Sequence, residues 1–281
     1  MLHFKTIGPK AATAAVLVAT VYSLLFGALR PRFALAGPFG FAQGRLAKAS
    51  VSTWPALAST PSSSEAAPAV DSKSADPQIA AALREISARR IQANIEKLVS
   101  FGTRSTLSAQ DPASIAAGHG IGAAREWIKA EFERYSKDCG GCLEVKTDEF
   151  TEEPKGRIPK PTEITNVYAV LKGMDAENAK RIVLVTGHYD SRNSDILDVS
   201  GDAPGANDDG SGTAVSLECA RVLSKMKFPA TIVFLTVAGE EQGLNGSHHF
   251  ARMTKEQGWN LEAVLNNDIV EEIKVPSKTI R

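Results

Sequence analysis

The chain has 281 residues, 43% of them hydrophobic, and its 32 basic side chains are matched by 32 acidic ones. That is enough apolar material for one sizeable core. Zero net charge offers none of the basic excess on which nucleic-acid binding depends, so no nucleic-acid partner is expected.

Lys5 and Lys10 precede an uncharged run from Ala11 to Leu29, and Ala34-Leu35-Ala36 follows as a small-x-small cleavage site. A positive segment followed by an apolar one is the pattern of an export signal. The run also approaches the roughly 20 residues that span a bilayer. Residues 1–36 therefore read as a signal peptide or a membrane anchor. The rest of the chain is expected to be exported, periplasmic or extracellular, or held on the outer side of a membrane. Residues 37–76, rich in Ala, Ser and Pro, read as a linker without a core. The folded domain is expected over 77–281.

Ile79, Leu83, Ile86, Ile91, Ile95 and Leu98 recur at helical spacing and predict one or two amphipathic helices. A further helix is predicted over Gly120 to Tyr135, with Ala123, Trp127, Ile128 and Phe132 on one face. Asp138-Cys139-Gly140-Gly141-Cys142 comes next. In an exported protein this C-x-x-C reads as a local disulfide pinning a turn, or as two free thiols. A zinc site would want a second Cys or His pair. Strands are predicted at 143–150, 166–171, 181–186, 231–237 and 263–267. Helices fit Gly212 to Met226, with Val215, Cys219, Val222 and Met226 on one face, and Gly246 to Gly258. This alternation predicts an α/β three-layer sandwich with a mostly parallel central sheet.

Ligand sites in such sheets gather at the carboxyl ends of strands. The chemistry-bearing residues fall there. His188 follows the 181–186 strand, with Asp190 two residues on, able to fix the imidazole tautomer. Asp208 and Asp209 lie in a loop flanked by Gly205, Gly210 and Gly212, and two adjacent carboxylates repel unless a cation or donors offset them. Glu240 and Glu241 follow the 231–237 strand. One of them can bind metal while the other takes a proton from an activated water. Asp268 follows the 263–267 strand. His nitrogen and carboxylate oxygen suit zinc. Each motif alone has a bland reading, as a surface pair, a turn or a helix start. Four of them in order around successive strand ends point to a metal site.

Together, Gly187–Arg192, Pro204–Ala214, Ala238–Gly246 and Asn266–Val270 resemble the co-catalytic zinc aminopeptidases. That superfamily includes bacterial leucyl aminopeptidases, aminopeptidase Y, glutamate carboxypeptidases and glutaminyl cyclases. The resemblance runs from about Ile91 to Val270. It implies two zinc ions and a peptide or protein substrate. His188 and Asp268 would be ligands of one zinc, Asp208 the bridging carboxylate and Glu241 a ligand of the other. Glu240 would be the general base, Asp190 would orient His188, and Asp209 would support the bridge.

The chain departs from the family pattern in two places. Members use one further His on a late strand, and the histidines here are His3, His119, His188, His248 and His249, none at that place. The pattern also continues with Gly after Asp-Ile-Val, whereas Val270 is followed by Glu271-Glu272-Ile273-Lys274. The expectation is a chain that stops before the last strands, an incomplete second zinc site left with Asp208 and Glu241, and a sheet with an unpaired edge or face. Two functional readings follow: an exported zinc exopeptidase, an aminopeptidase first, or a catalytically inactive fragment or single-metal module of the same family. Carboxypeptidase and cyclase activities remain open on the same scaffold. A dinucleotide site at the Gly-rich 205–212 loop is disfavoured, because G-x-G-x-x-G is absent and the acidic pair repels phosphate.

Overall fold

A computed structural model describes residues 76–270. The signal or anchor segment, the linker up to residue 75 and the tail 271–281 lie outside the described residues. Among the described residues, no helix is long and apolar enough to cross a membrane.

Two helices open the fold, α1 (Pro77–Glu85) and α2 (Ala88–Val99). The apolar period runs through both, but Ile86 is extended and Ser87 caps α2 by accepting the Arg90 N–H. The carboxylate of Glu218 accepts the Ser87 N–H at 2.8 Å and fixes this break. A short α3 (Pro112–Ala116) follows, capped by Asp111 with Pro at its first position. Helix α4 (Gly120–Asp138) buries Ala123, Ile128 and Phe132, as their spacing predicts. A Cys139–Cys142 disulfide then closes the turn into β1 (Leu143–Glu152).

Strands β2 (Thr162–Leu171), β3 (Arg181–His188), β4 (Thr231–Val237) and β5 (Asn260–Asn266) join β1 in one sheet of order β1-β2-β4-β3-β5. β2 is antiparallel to both β1 and β4, while β3 is parallel to both β4 and β5. All strands except β2 therefore run the same way, but β2 makes two of the four neighbouring pairs antiparallel, so the sheet is mixed; the alternation predicts the parallel β4-β3-β5 part and not the reversal of β2.

Helices α5 (Gly210–Leu223) and α6 (Asn245–Glu256) cover opposite faces. On one face Val183, Val185, Ile232 and Phe234 pack with Val215 and Leu217 of α5 and with Ile128 and Phe132 of α4. On the other, Leu184, Val233 and Leu235 pack with Phe250 and Met253 of α6. This period-2 alternation makes three layers. Each fully buried Leu, Ile, Val or Phe contributes about 1.5–3 kcal/mol by burial.

Helix α5 corrects one expectation. It is not amphipathic, because every residue from Gly210 to Leu223 is buried, and Met226 lies beyond its end. The sheet holds one side of it and α2 and α4 hold the others. Glu218 and Arg221 pair within it at 2.7 Å, Thr213 donates to the His188 carbonyl, and the buried Ser216 hydroxyl has no hydrogen-bond partner among the described residues. Its first turn also approaches the sheet closely. A Cβ on Gly187 would sit 2.7 Å from the Gly212 carbonyl carbon, and one on Gly212 would sit 2.3 Å from the Asn267 oxygen. Glycine at both positions lets the Asp208 loop reach the ends of β3 and β5.

Candidate metal centre

The chain leaves β3 for β4 through α5 on one face, then leaves β4 for β5 through α6 on the other. Successive connections thus go in opposite directions around β3. In open α/β sheets this reversal leaves a crevice at the carboxyl ends of the strands. His188 is the last residue of β3, Glu240 and Glu241 follow β4, Asp268 follows β5, and Asp208 immediately precedes the Asp209 cap of α5.

His188 is buried, and its Nε2 faces three carboxylates. Asp208 Oδ1 lies at 3.2 Å, Glu240 Oε2 at 3.9 Å and Asp268 Oδ1 at 3.9 Å. One ligand atom each from His188, Asp208 and Asp268 falls within a cluster 4.8 Å across. On the opposite ring edge, Nδ1 lies 3.2 Å from the Asp190 carbonyl oxygen and 3.5 Å from its carboxylate. Asp190 therefore contacts the His188 ring through both groups, its backbone oxygen making the closer contact.

The Asp190 carboxylate, fully buried, has further partners. It accepts the Thr106 hydroxyl at 2.9 Å and the Glu240 and Glu241 N–H groups at 3.3 and 3.2 Å. It ties the end of β3 to the Glu pair. Asp209, equally buried, accepts the His188 N–H at 2.9 Å and the Gly212 N–H at 2.8 Å. It caps α5 and supports the backbone of the histidine. The adjacent carboxylates divide their labour by burial, because the Asp208 side chain is 50% exposed.

The electrostatics follow from this convergence. Burial works against a charged His188, but the hydrogen bond to Asp190 and the charges of Asp190, Asp209 and Glu240 outweigh it and raise its pKa to about 10. Burial pushes Asp209 up to about 7, against the pull of His188 and the two N–H donors. Glu241 is also raised to about 7, by burial and then by the charges of Asp208 and Asp190. Glu240 is raised too, with burial the foremost cause. Carboxylates brought this close resist charging together, and a divalent cation among them relieves that repulsion. One imidazole nitrogen with carboxylate oxygens is a donor set that fits zinc.

Glu241 stands apart from the three clustered residues. Its Oε2 pairs with Arg192 Nε at 2.8 Å, and its carbonyl accepts from Arg157 Nη1 at 2.8 Å. His249 is engaged elsewhere, with Nδ1 3.1 Å from Asp148 and its ring stacked on Phe150. Beside the centre a groove of about 360 Å³ runs down the α6 face of the sheet. His188, Glu240 and Asp268 stand at its mouth, and Leu184, Leu235, Phe250 and Val264 are among its walls.

Two residues near the centre carry no motif in the sequence. Arg104 is fully buried and donates to the carbonyls of Tyr189, Leu98, Pro204 and Gly205 at 2.7–3.0 Å. Burial lowers its pKa to about 10, while Asp190, Asp209 and Asp208 oppose that fall. Thr106 joins Asp190 to the Gly239 N–H. Both lie between α2 and α3, where no periodicity marks them.

Residues 166–277 match the sequence pattern of Peptidase family M28. Over those residues the chain is similar to this family, and with the relatives below the match supports the co-catalytic zinc peptidase superfamily. A probable zinc metalloprotease of Pyricularia oryzae is 42% identical over 268 residues, covering 91% of this chain and 51% of that protein. Another, of Leptosphaeria maculans, is 48% identical over 193 residues, covering 69% of this chain and 43% of that protein. The chain thus spans about half the length of the curated relatives it matches. Its fold is similar to that of Bacteroides thetaiotaomicron glutaminyl cyclase, with a TM-score of 0.51 at 17% identity over 67% of this chain and 64% of that one. Legionella pneumophila LapB gives a TM-score of 0.50 at 24% identity, over 69% and 46%.

Proposed function

We propose that this chain carries the metal-binding core of an exported zinc exopeptidase acting as an aminopeptidase on peptides or proteins. The observation that carries the reading is the convergence of His188, Asp208 and Asp268 at neighbouring strand ends, with Glu240 beside them. Those three residues would hold one zinc ion, and Asp208 with Glu241 would supply donors to a second. Zinc held there would polarise the scissile carbonyl and ease ionisation of an attacking water. Glu240, partly exposed at the groove mouth, takes the proton from that water and delivers it to the leaving amine. Asp190 keeps His188 oriented. The surplus of carboxylates suits a substrate with a free α-ammonium group. The Cys139–Cys142 disulfide supports export, because such bridges persist in oxidising compartments.

The pairing of Glu241 with Arg192 favours a second reading, a single-metal module of the same family without turnover. Hydrolysis of aminoacyl 4-nitroanilides and their N-acetylated counterparts, after zinc add-back, separates the two. Turnover confined to substrates with a free amine, and lowered roughly 10²- to 10⁴-fold in Glu240→Gln, is the expected result. Equal cleavage of the acetylated substrates would sink the aminopeptidase assignment. Bound zinc without turnover would leave the single-metal reading standing.

A further inference from the structure

We propose that the segment Thr103–Thr106 positions the metal centre, through the Arg104 guanidinium and the Thr106 hydroxyl. The inference rests on the metal reading above and goes beyond it. The segment lies outside the residues 166–277 that carry the family pattern.

The segment runs beneath three of the loops that bring the centre together. Arg104 Nε donates to the Tyr189 carbonyl, directly after His188. Nη1 and Nη2 donate to the carbonyls of Pro204 and Gly205, in the loop that leads to Asp208. One rigid planar fork therefore sets the spacing between the His188 and Asp208 segments, a geometry that a lysine ammonium cannot reproduce. The backbone repeats the tie. Ser191 N–H donates to the Arg104 carbonyl at 3.1 Å, and Ala203 N–H donates to the Gly102 carbonyl at 3.0 Å. Two residues on, the Thr106 hydroxyl donates to Asp190 and accepts the Gly239 N–H, which links the same segment to the loop bearing Glu240. Gly205 packs close enough that a Cβ there would lie 2.9 Å from Arg104 Nη2.

A positioning role of this kind predicts a loss of metal affinity in a chain that still folds. The test compares the full chain with Arg104→Lys and Thr106→Val. Co²⁺ affinity and the visible Co²⁺ absorption band are read by titration, and folding of the metal-free protein is read by thermal melting. The expected result is at least a fivefold weaker affinity, with an altered band, in either variant that folds. Thr106→Val is nearly isosteric and decides the matter alone if Arg104→Lys does not fold. Losses under fivefold in every folded variant would overturn the proposal while leaving the metal reading intact. A parent chain that takes up no Co²⁺ would overturn the metal reading, and this inference with it.

Discussion

The centre of the sheet and its β5 edge contribute to the same site in different ways. At the centre every residue of β4 is buried, the His188 N–H donates to Asp209, and Asp190 accepts from Thr106 and the Glu240 N–H. At the edge most of β5 is exposed, and Asp268 projects with its side chain 44% accessible. His188 and its supports are thus fixed by the fold. The carboxylates of Asp208 and Asp268 are left room to settle around a cation. A site built this way keeps its histidine preorganised while its acidic arms adapt, which limits the ordering left for metal binding to accomplish.

The largest effect should come from the central core. Leu217→Ala removes a fully buried side chain from α5 and should cost roughly 3 kcal/mol, whereas Val264→Ala at the edge should stay within about 0.5 kcal/mol. Denaturant unfolding of the two variants measures the gap, and similar losses would erase the distinction. Asp190→Asn comes next. The amide presents an N–H₂ to groups that already donate, and it takes a negative charge from beside the buried Arg104. Destabilisation of about 2 to 3 kcal/mol is expected, with metal affinity weaker by roughly 10- to 100-fold. Asp268→Asn should separate the two quantities. Its side chain is exposed and, among the described residues, makes no buried hydrogen-bond network, so the metal-free chain should unfold within about 0.5 kcal/mol of the parent. Zinc affinity should still fall at least about tenfold, because a charged donor is lost. Melting curves with and without zinc read both, since a bound metal raises stability in proportion to its affinity.

Much of this contrast was legible in the sequence. The unbroken apolar runs 181–186 and 231–237 announce strands buried on both faces, and both are. His188, Asp208 and Asp268 could be nominated because strand-end position and residue type are local properties. What stayed hidden depends on contacts distant in sequence. The sheathing of α5 by α2 and α4 turns a predicted stripe into a wholly buried helix. The reversal of β2 leaves no trace in its composition, since residue pattern carries no strand direction. Arg104 and Thr106 act across 84 or more residues, on Tyr189, Asp190 and Gly205. A short polar segment between two helices reads as an ordinary loop until those partners are seen. The Arg192–Glu241 pair was hidden too, because adjacency to a motif does not tell which charge a side chain will meet.

The smallest change in folding energy, but a measurable change in behaviour, is expected at the edge strand itself. Among the described residues β5 pairs only with β3, so one side of its backbone ladder is open. Leu261 and Val264 are exposed on it, and both line the apolar groove. Its one charged residue, Glu262, is occupied by Arg181 at 2.5 Å. Open ladder groups beside apolar side chains favour edge-to-edge association, and an outward lysine opposes it by charge and desolvation. Val264→Lys should therefore lower the mass-average size seen by light scattering as concentration rises, with unfolding free energy within about 0.5 kcal/mol of the parent. If parent and variant stay equally monomeric across the range, the edge is less adhesive than its composition implies, and the contrast between centre and edge reduces to burial alone.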